Sequence, residues 1–154
     1  MNHRIAPPQP FAPVDSTETA TALARGSAWA FWIWAAVGLM QAGLIWFQGD
    51  AAHQDVRGAT TGFMIFFAGF AAVLGWMQHR KPNRILPVFG LAWALYELSA
   101  LSVGLMVGAP MAAPGLPGWS IALAAAAMVL CLLLHIGGLR GATGMARFTS
   151  ANRA

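Results

Sequence analysis

Charged residues are scarce in this chain of 154 residues, since only 9% are Asp, Glu, Lys or Arg. A soluble domain usually carries about 25% charged residues, whereas 58% of this chain is hydrophobic. A water-soluble fold would have too little polar surface to cover its core, so the composition excludes an ordinary soluble domain. The length is typical of one domain, and lipid is the solvent that this composition fits.

Cysteine is almost absent as well, because Cys131 is the only one. One cysteine excludes an intrachain disulfide and any CxxC metal site. The chain also lacks the GxSxG, HExxH, P-loop and GxGxxG patterns in the context that each requires. The sequence therefore offers no catalytic set, and we do not expect an enzyme.

Long apolar segments are what the chain has instead. A transmembrane helix needs about 20 mostly apolar residues, and four segments qualify: 27–47, 59–77, 85–107 and 119–139. We therefore expect an all-α integral membrane protein whose residues 27–139 form an antiparallel bundle of four transmembrane helices. Residues 1–26 are expected to be a proline-rich cytoplasmic segment with a short juxtamembrane helix, N-capped by Asp15 with Glu18 three residues later. Residues 140–154 form a basic cytoplasmic tail.

The basic residues predict the orientation of these spans through the positive-inside rule. If the N-terminus is cytoplasmic, only Arg57 lies outside. The other basic residues then lie inside: Arg4, Arg25, Arg80, Lys81, Arg84, Arg140, Arg147 and Arg153. We expect a multi-pass protein of the bacterial inner membrane with both termini in the cytoplasm. The net charge of +4 thus marks orientation, and nucleic acid is not an expected partner.

Two kinds of helix face suggest how the spans pack. Small residues recur at four-residue spacing, as in Gly58 and Gly62, and such pairs let membrane helices approach closely. The second span also carries Phe63, Phe66, Phe67 and Phe70 at i, i+3, i+4 and i+7, which is one helical face. That face suits packing against lipid or within the bundle, or docking of another subunit, a pigment or a quinone tail.

Glu97 lies inside the third span, in the stretch LAWALYELSALSVG. An ionisable residue within a span is a functional hypothesis by default. Glu97 is expected roughly 18 Å from the cytoplasmic end of its helix and Gln41 roughly 21 Å from the same side, so the two are nearly level. Gln41 is therefore the expected hydrogen-bonding partner, with local help from Tyr96. The pair either fixes helix register, handles a proton or cation, or contacts a ligand.

His135 is expected only about 6 Å deep, which separates it from Glu97 by about 12 Å in height. Imidazole is a frequent ligand of metals, so His135 is a candidate single ligand for haem or a bacteriochlorophyll-type pigment. A quinone or a bound lipid is the other cofactor that we consider. Asp50, His53 and Asp55 are potential metal ligands in the outer loop, although a solvated polar loop explains them as well.

Three functions follow from these features. The first is a non-catalytic accessory subunit of a larger inner-membrane complex, respiratory or photosynthetic, which packs through small-residue and Phe-rich faces. The second is a small transporter or channel subunit that uses Glu97 and Gln41 at the membrane midplane. The third is a pigment-binding or haem-binding membrane protein with His135 as the ligand. The expected partners are membrane lipid and other membrane subunits.

Overall fold

The computed structural model describes residues 10–48, 54–107 and 116–151. All regular secondary structure in these ranges is helical, and the four helices are α1 (Thr17–Gln48), α2 (Gln54–Arg80), α3 (Ile85–Met106) and α4 (Gly118–Ala151). Each helix contains a segment that is long and apolar enough to cross a membrane. The prediction of an all-α chain with four candidate spans is confirmed, as expected of a multi-pass membrane protein.

Two of the helices are longer than a single membrane crossing. α1 has 32 residues and α4 has 34, which gives each a length of about 50 Å against a hydrocarbon core of about 30 Å. Hydropathy placed the span boundaries at residues 27 and 139, but both helices continue past them. The flanking residues are mostly good helix formers such as Ala, Leu and Arg, so the helix continues where the apolar run stops.

The first turn of α1 is capped by Ser16 and Thr19. The Ser16 backbone N–H donates to Thr19 Oγ1 at 3.1 Å, and the Thr19 N–H donates to Ser16 Oγ at 3.2 Å. This reciprocal pair resembles a capping box in which threonine replaces the usual Glu or Gln. Ser16, rather than Asp15, therefore precedes the first helical residue.

The connection between α2 and α3 is fixed by two amide side chains. Asn83 Oδ1 accepts hydrogen bonds from the N–H groups of Ile85 and Leu86 at 2.9 and 3.0 Å, which satisfies two free donors at the start of α3. Gln78 is fully buried. Its Nε2 donates to the Ala24 carbonyl at 2.9 Å, and its Oε1 accepts from the Asn83 N–H at 3.3 Å. The turn is thereby held against α1.

α1 is the helix around which the others are arranged. It packs closely against α2 and α4, and α3 packs mainly against α4. Within the described residues, α2 and α3 are not a closely packed pair. The bundle therefore has one loose side, which lies between α2 and α3.

Glycines of α4 pack closely against α1 and the segment that precedes it. A Cβ atom on Gly138 would collide with Ser27, and one on Gly141 would collide with the backbone of Ala20 and Ala24. Gly137 and Gly144 meet the N-terminal segment in the same way, at Pro10 and Val14. Small residues at such positions let helices approach closely enough for van der Waals contact, which is the main attraction between helices in lipid.

Gly141→Ala is expected to lower the free energy of unfolding by about 1–3 kcal/mol, because the new methyl group overfills a packed contact. The matched control is Gly62→Ala, at a helical position where nothing lies within 4 Å of the new Cβ. That change is expected to be neutral or to stabilise the helix by up to about 1 kcal/mol. Denaturant unfolding in detergent micelles measures both variants. Equal stability of the two would contradict the close contact at Gly141.

Candidate intramembrane binding site

A cavity of about 180 Å³ lies within the bundle and is lined by residues from all four helices. Its walls are mostly apolar, and its polar side chains include Gln41 from α1, Glu97 from α3, and Cys131 and His135 from α4. An engineered protein cavity of about 150 Å³ stays dry and binds benzene. The space therefore has the scale of one substituted ring.

The structure brings together three polar residues that the depth estimates from the sequence had divided into a pair and a separate histidine. Gln41, Glu97 and His135 all line this cavity, whereas the sequence paired Gln41 with Glu97 and set His135 apart. No hydrogen bond between Gln41 and Glu97 occurs in the described part of the chain, so the expected pairing is not formed. The reason is that the cavity, rather than a direct contact, lies between the helices at this level.

Glu97 lies one helical turn after Trp93, and its half-buried carboxyl group interacts with the Trp93 side chain. The indole Nε1 of Trp93 is nevertheless buried without a hydrogen bond of acceptable geometry to any described residue. An indole N–H can only donate, so the Trp93 N–H at the cavity wall has Glu97 as its nearby acceptor but does not form a well-aligned hydrogen bond to it. Tyr96, which the sequence suggested as a local partner of Glu97, is 64% exposed and does not line the cavity.

His135 is the most deeply buried polar group of the site, with only 1% of its surface exposed. Its ring packs edge-on against Phe31, with a centroid distance of 4.7 Å, and its Nδ1 has no hydrogen-bond partner among the described residues. A Cβ on Gly90 would collide with the Cε1–Nε2 edge of the imidazole, so only glycine leaves room for this ring. A buried polar atom without a partner costs folding free energy. A ligand that bonds to Nδ1 would remove this cost, so His135 is a candidate ligand contact.

The contact with Gly90 also bears on the kind of ligand that His135 can meet. One edge of the imidazole lies directly against the α3 backbone, and the cavity beside it is about 180 Å³. A haem or bacteriochlorophyll macrocycle is several times larger than the single ring that such a cavity holds. The geometry therefore favours a smaller ligand than the pigment or haem considered from the sequence.

Aromatic rings close the loose side of the bundle between α2 and α3. Phe67 stacks on Trp93 with ring centroids 5.6 Å apart, and Phe70 meets Phe89 edge-on at 6.5 Å. The phenylalanine face of α2 is therefore divided. Phe67 and the more exposed Phe63 line the cavity, whereas Phe66 and Phe70 are exposed and do not line it. Only side-chain rings separate the cavity from the surroundings on this side.

The metal ligands considered in the outer loop are not tested by the structure. Asp50 and His53 lie outside the described residues, and Asp55 belongs to α2 without a described side chain. Elsewhere in the described ranges, no group of three or more His, Cys, Asp or Glu side chains is placed to hold a metal ion. The site that the structure offers is thus the cavity.

Gly90→Ala is expected to destabilise the protein, because the three atoms nearest the new methyl group all belong to the His135 ring. The loss should be about 1–3 kcal/mol. In a His135→Ala background the same substitution should cost much less, since the colliding ring is gone. A double-mutant cycle of unfolding free energies measures this coupling. Additive effects of the two substitutions would contradict the Gly90–His135 contact.

Comparison with known proteins adds no second source of information about this site. No protein-family model, no curated protein and no solved structure matches the chain. Function therefore has to be inferred from the cavity itself, from the groups that line it and from the way the four helices create it.

Proposed function

We propose that this chain is a non-catalytic binding protein of the bacterial inner membrane, which holds a small lipid-soluble molecule inside its helical bundle. The observation that carries this proposal is the cavity with His135 in its wall. His135 is buried and its Nδ1 lacks a partner, while the surrounding walls are mostly apolar. Convergence of a few polar groups in an apolar pocket is typical of a binding site for a small molecule.

We further propose that the helices form an antiparallel bundle with both termini in the cytoplasm. The order of contacts between α1 and α4 supports the antiparallel arrangement, because Ala24 meets Gly141 whereas Ala30 accepts a hydrogen bond from Cys131 Sγ at 3.2 Å. Residue numbers thus rise along one helix as they fall along the other. Gln78 at the end of α2 bonds to Ala24, and Ala24 meets Gly141, so the basic α2–α3 turn lies at the same end of the bundle as Arg140 of α4. The positive-inside rule assigns that end to the cytoplasm.

The binding protein is proposed to act as an accessory subunit of a larger respiratory or photosynthetic complex. The outer face of α2 supports a subunit contact. Phe66 is among its exposed side chains, and open space lies beside Gly62 and Gly69. Exposed glycines allow another membrane helix to approach closely, and phenylalanine rings beside them would add contact area.

A transporter or channel subunit is the second candidate, and the placement of Gln41 and Glu97 on the cavity wall favours it. The two functions differ in what Glu97 must do. If the protein only binds, Glu97→Gln is expected to leave proton or solute flux through reconstituted vesicles unchanged. A loss of flux in Glu97→Gln with the fold intact would instead favour transport.

The binding function is tested by filling the cavity. Ala127 lines it, whereas the neighbouring Ala126 is exposed and does not. Ala127→Leu adds roughly 80 Å³ of side chain to a space that holds about one ring, so it should exclude the ligand. Ala126→Leu makes the same chemical change on the outer surface of α4 and is the matched control.

The measurement is native mass spectrometry of each protein, extracted from its own membranes in polymer-bounded lipid discs. We expect a one-to-one small-molecule adduct on the wild type and on Ala126→Leu, with at least a fivefold loss of the adduct on Ala127→Leu. An adduct that survives equally in both variants would place the ligand elsewhere and contradict the proposed site.

A further inference from the structure

We infer that the molecule held in this cavity is a quinone-type ring, which carries two carbonyl oxygens on opposite sides. The inference rests on the proposed binding function and names its ligand class. It follows from three features of the cavity: its size and aromatic walls, the spacing of its polar groups along α3, and the hydrogen bonds that these groups can donate.

The walls of the cavity suit a flat ring. Trp34 from α1, Phe67 from α2 and Trp93 from α3 all line it. The Trp34 and Trp93 rings lie 5.1 Å apart, and Phe67 stacks on Trp93 with an angle of 30° between their planes. Aromatic side chains prefer offset stacking or edge-on contact with another π-system. A planar ligand of one ring therefore matches the size and the aromatic surface of this space.

The polar groups stand at two different levels along α3. The imidazole of His135 lies against Gly90, and Glu97 follows seven residues later, which is a rise of roughly 10 Å. The carbonyl oxygens of a 1,4-quinone are about 5 Å apart, given a C=O length of about 1.2 Å. With a hydrogen bond of about 2.9 Å at each end, such a ring joins two donors about 11 Å apart. The axial rise between the two levels is close to this length.

The polar groups at these levels are able to donate hydrogen bonds. The Trp93 indole N–H is buried without an acceptor of acceptable geometry in the described residues, and His135 Nδ1 is also unpartnered. A neutral imidazole offers one N–H, and a protonated Glu97 offers one O–H. Carbonyl oxygens accept such bonds, whereas a hydrocarbon ring or acyl chain would leave the donors unused in a medium that supplies no water.

The loose side of the bundle supplies the route from lipid. α2 and α3 meet there through two ring contacts, Phe67 with Trp93 and Phe70 with Phe89, instead of through close backbone packing. Rings of this kind can turn aside without unfolding a helix, because side-chain rotation is far faster and cheaper than backbone rearrangement. An apolar tail attached to the ring would leave the cavity between these two helices and remain in the bilayer.

The test compares two ring compounds of nearly the same shape. Tetramethyl-1,4-benzoquinone has two carbonyl groups, and its four methyl groups block addition of the Cys131 thiol to the ring. 1,2,4,5-Tetramethylbenzene has the same ring and methyl groups without the carbonyls. Binding of each to the full-length protein in lipid nanodiscs is measured by equilibrium dialysis, with empty nanodiscs as the reference for partition into lipid.

The wild type is expected to bind the quinone at least fivefold more tightly than the hydrocarbon, because one hydrogen bond to a buried donor contributes enough binding free energy for a fivefold difference in affinity. Glu97→Leu should reduce quinone affinity about fivefold and leave the hydrocarbon unchanged. Glu97→Gln keeps an N–H donor and should retain most of the quinone affinity. His135→Leu should act like Glu97→Leu, which tests the opposite end of the ring.

Three results would overturn the inference, and they are distinguishable from failure of the binding function itself. If the hydrocarbon binds as tightly as the quinone, or if Glu97→Leu and His135→Leu weaken both compounds equally, carbonyl recognition is wrong. If the quinone does not bind while the native adduct is still lost in Ala127→Leu, the cavity binds a ligand of another class. Loss of both the quinone binding and any native adduct would remove the proposed function as well.

Discussion

The close approach of α1 to α4 at Gly138 and Gly141 is the contact on which the rest of the described structure depends. Lipid tails are as apolar as leucine, so burial alone gives membrane helices little reason to associate, and dense van der Waals contact has to supply it. The glycines bring the α4 backbone against Ser27, Ala24 and Ala20. With α4 fixed on α1, α3 is held in turn by the contact of Gly90 with His135.

The cavity follows from this order of packing. α2 packs on α1, and α3 packs on α4. α2 and α3 are therefore not brought together along their length. They are joined at their turn, through Gln78 and Asn83. Rings rather than backbone fill the space between them. The polar groups of α1, α3 and α4 then line a shared cavity, and Gln41 and Glu97 do not meet.

Apolar run lengths predict the all-α class and the four spans, because the thickness of a bilayer dictates how many residues a helix needs. Glu97, Gln41 and His135 are also identifiable, since polar residues in lipid are rare enough to stand out. Sequence gives their depth but not the direction in which each helix turns them, so it misses the shared cavity. It also misses the roles of Gly90 and Gly141, because a glycine in a helix reveals its contact only when the neighbouring helix is placed.

The most direct test of this account is ¹⁵N NMR of the protein in lipid, labelled at its four histidines and assigned with His135→Leu. His135 lies in the cavity wall, whereas His79 is exposed at the end of α2. If the cavity holds a quinone ring, tetramethyl-1,4-benzoquinone shifts the ring signals of His135 and leaves those of His79 unchanged. A His135 signal that does not move at saturating quinone, or that moves only together with His79, would contradict the account.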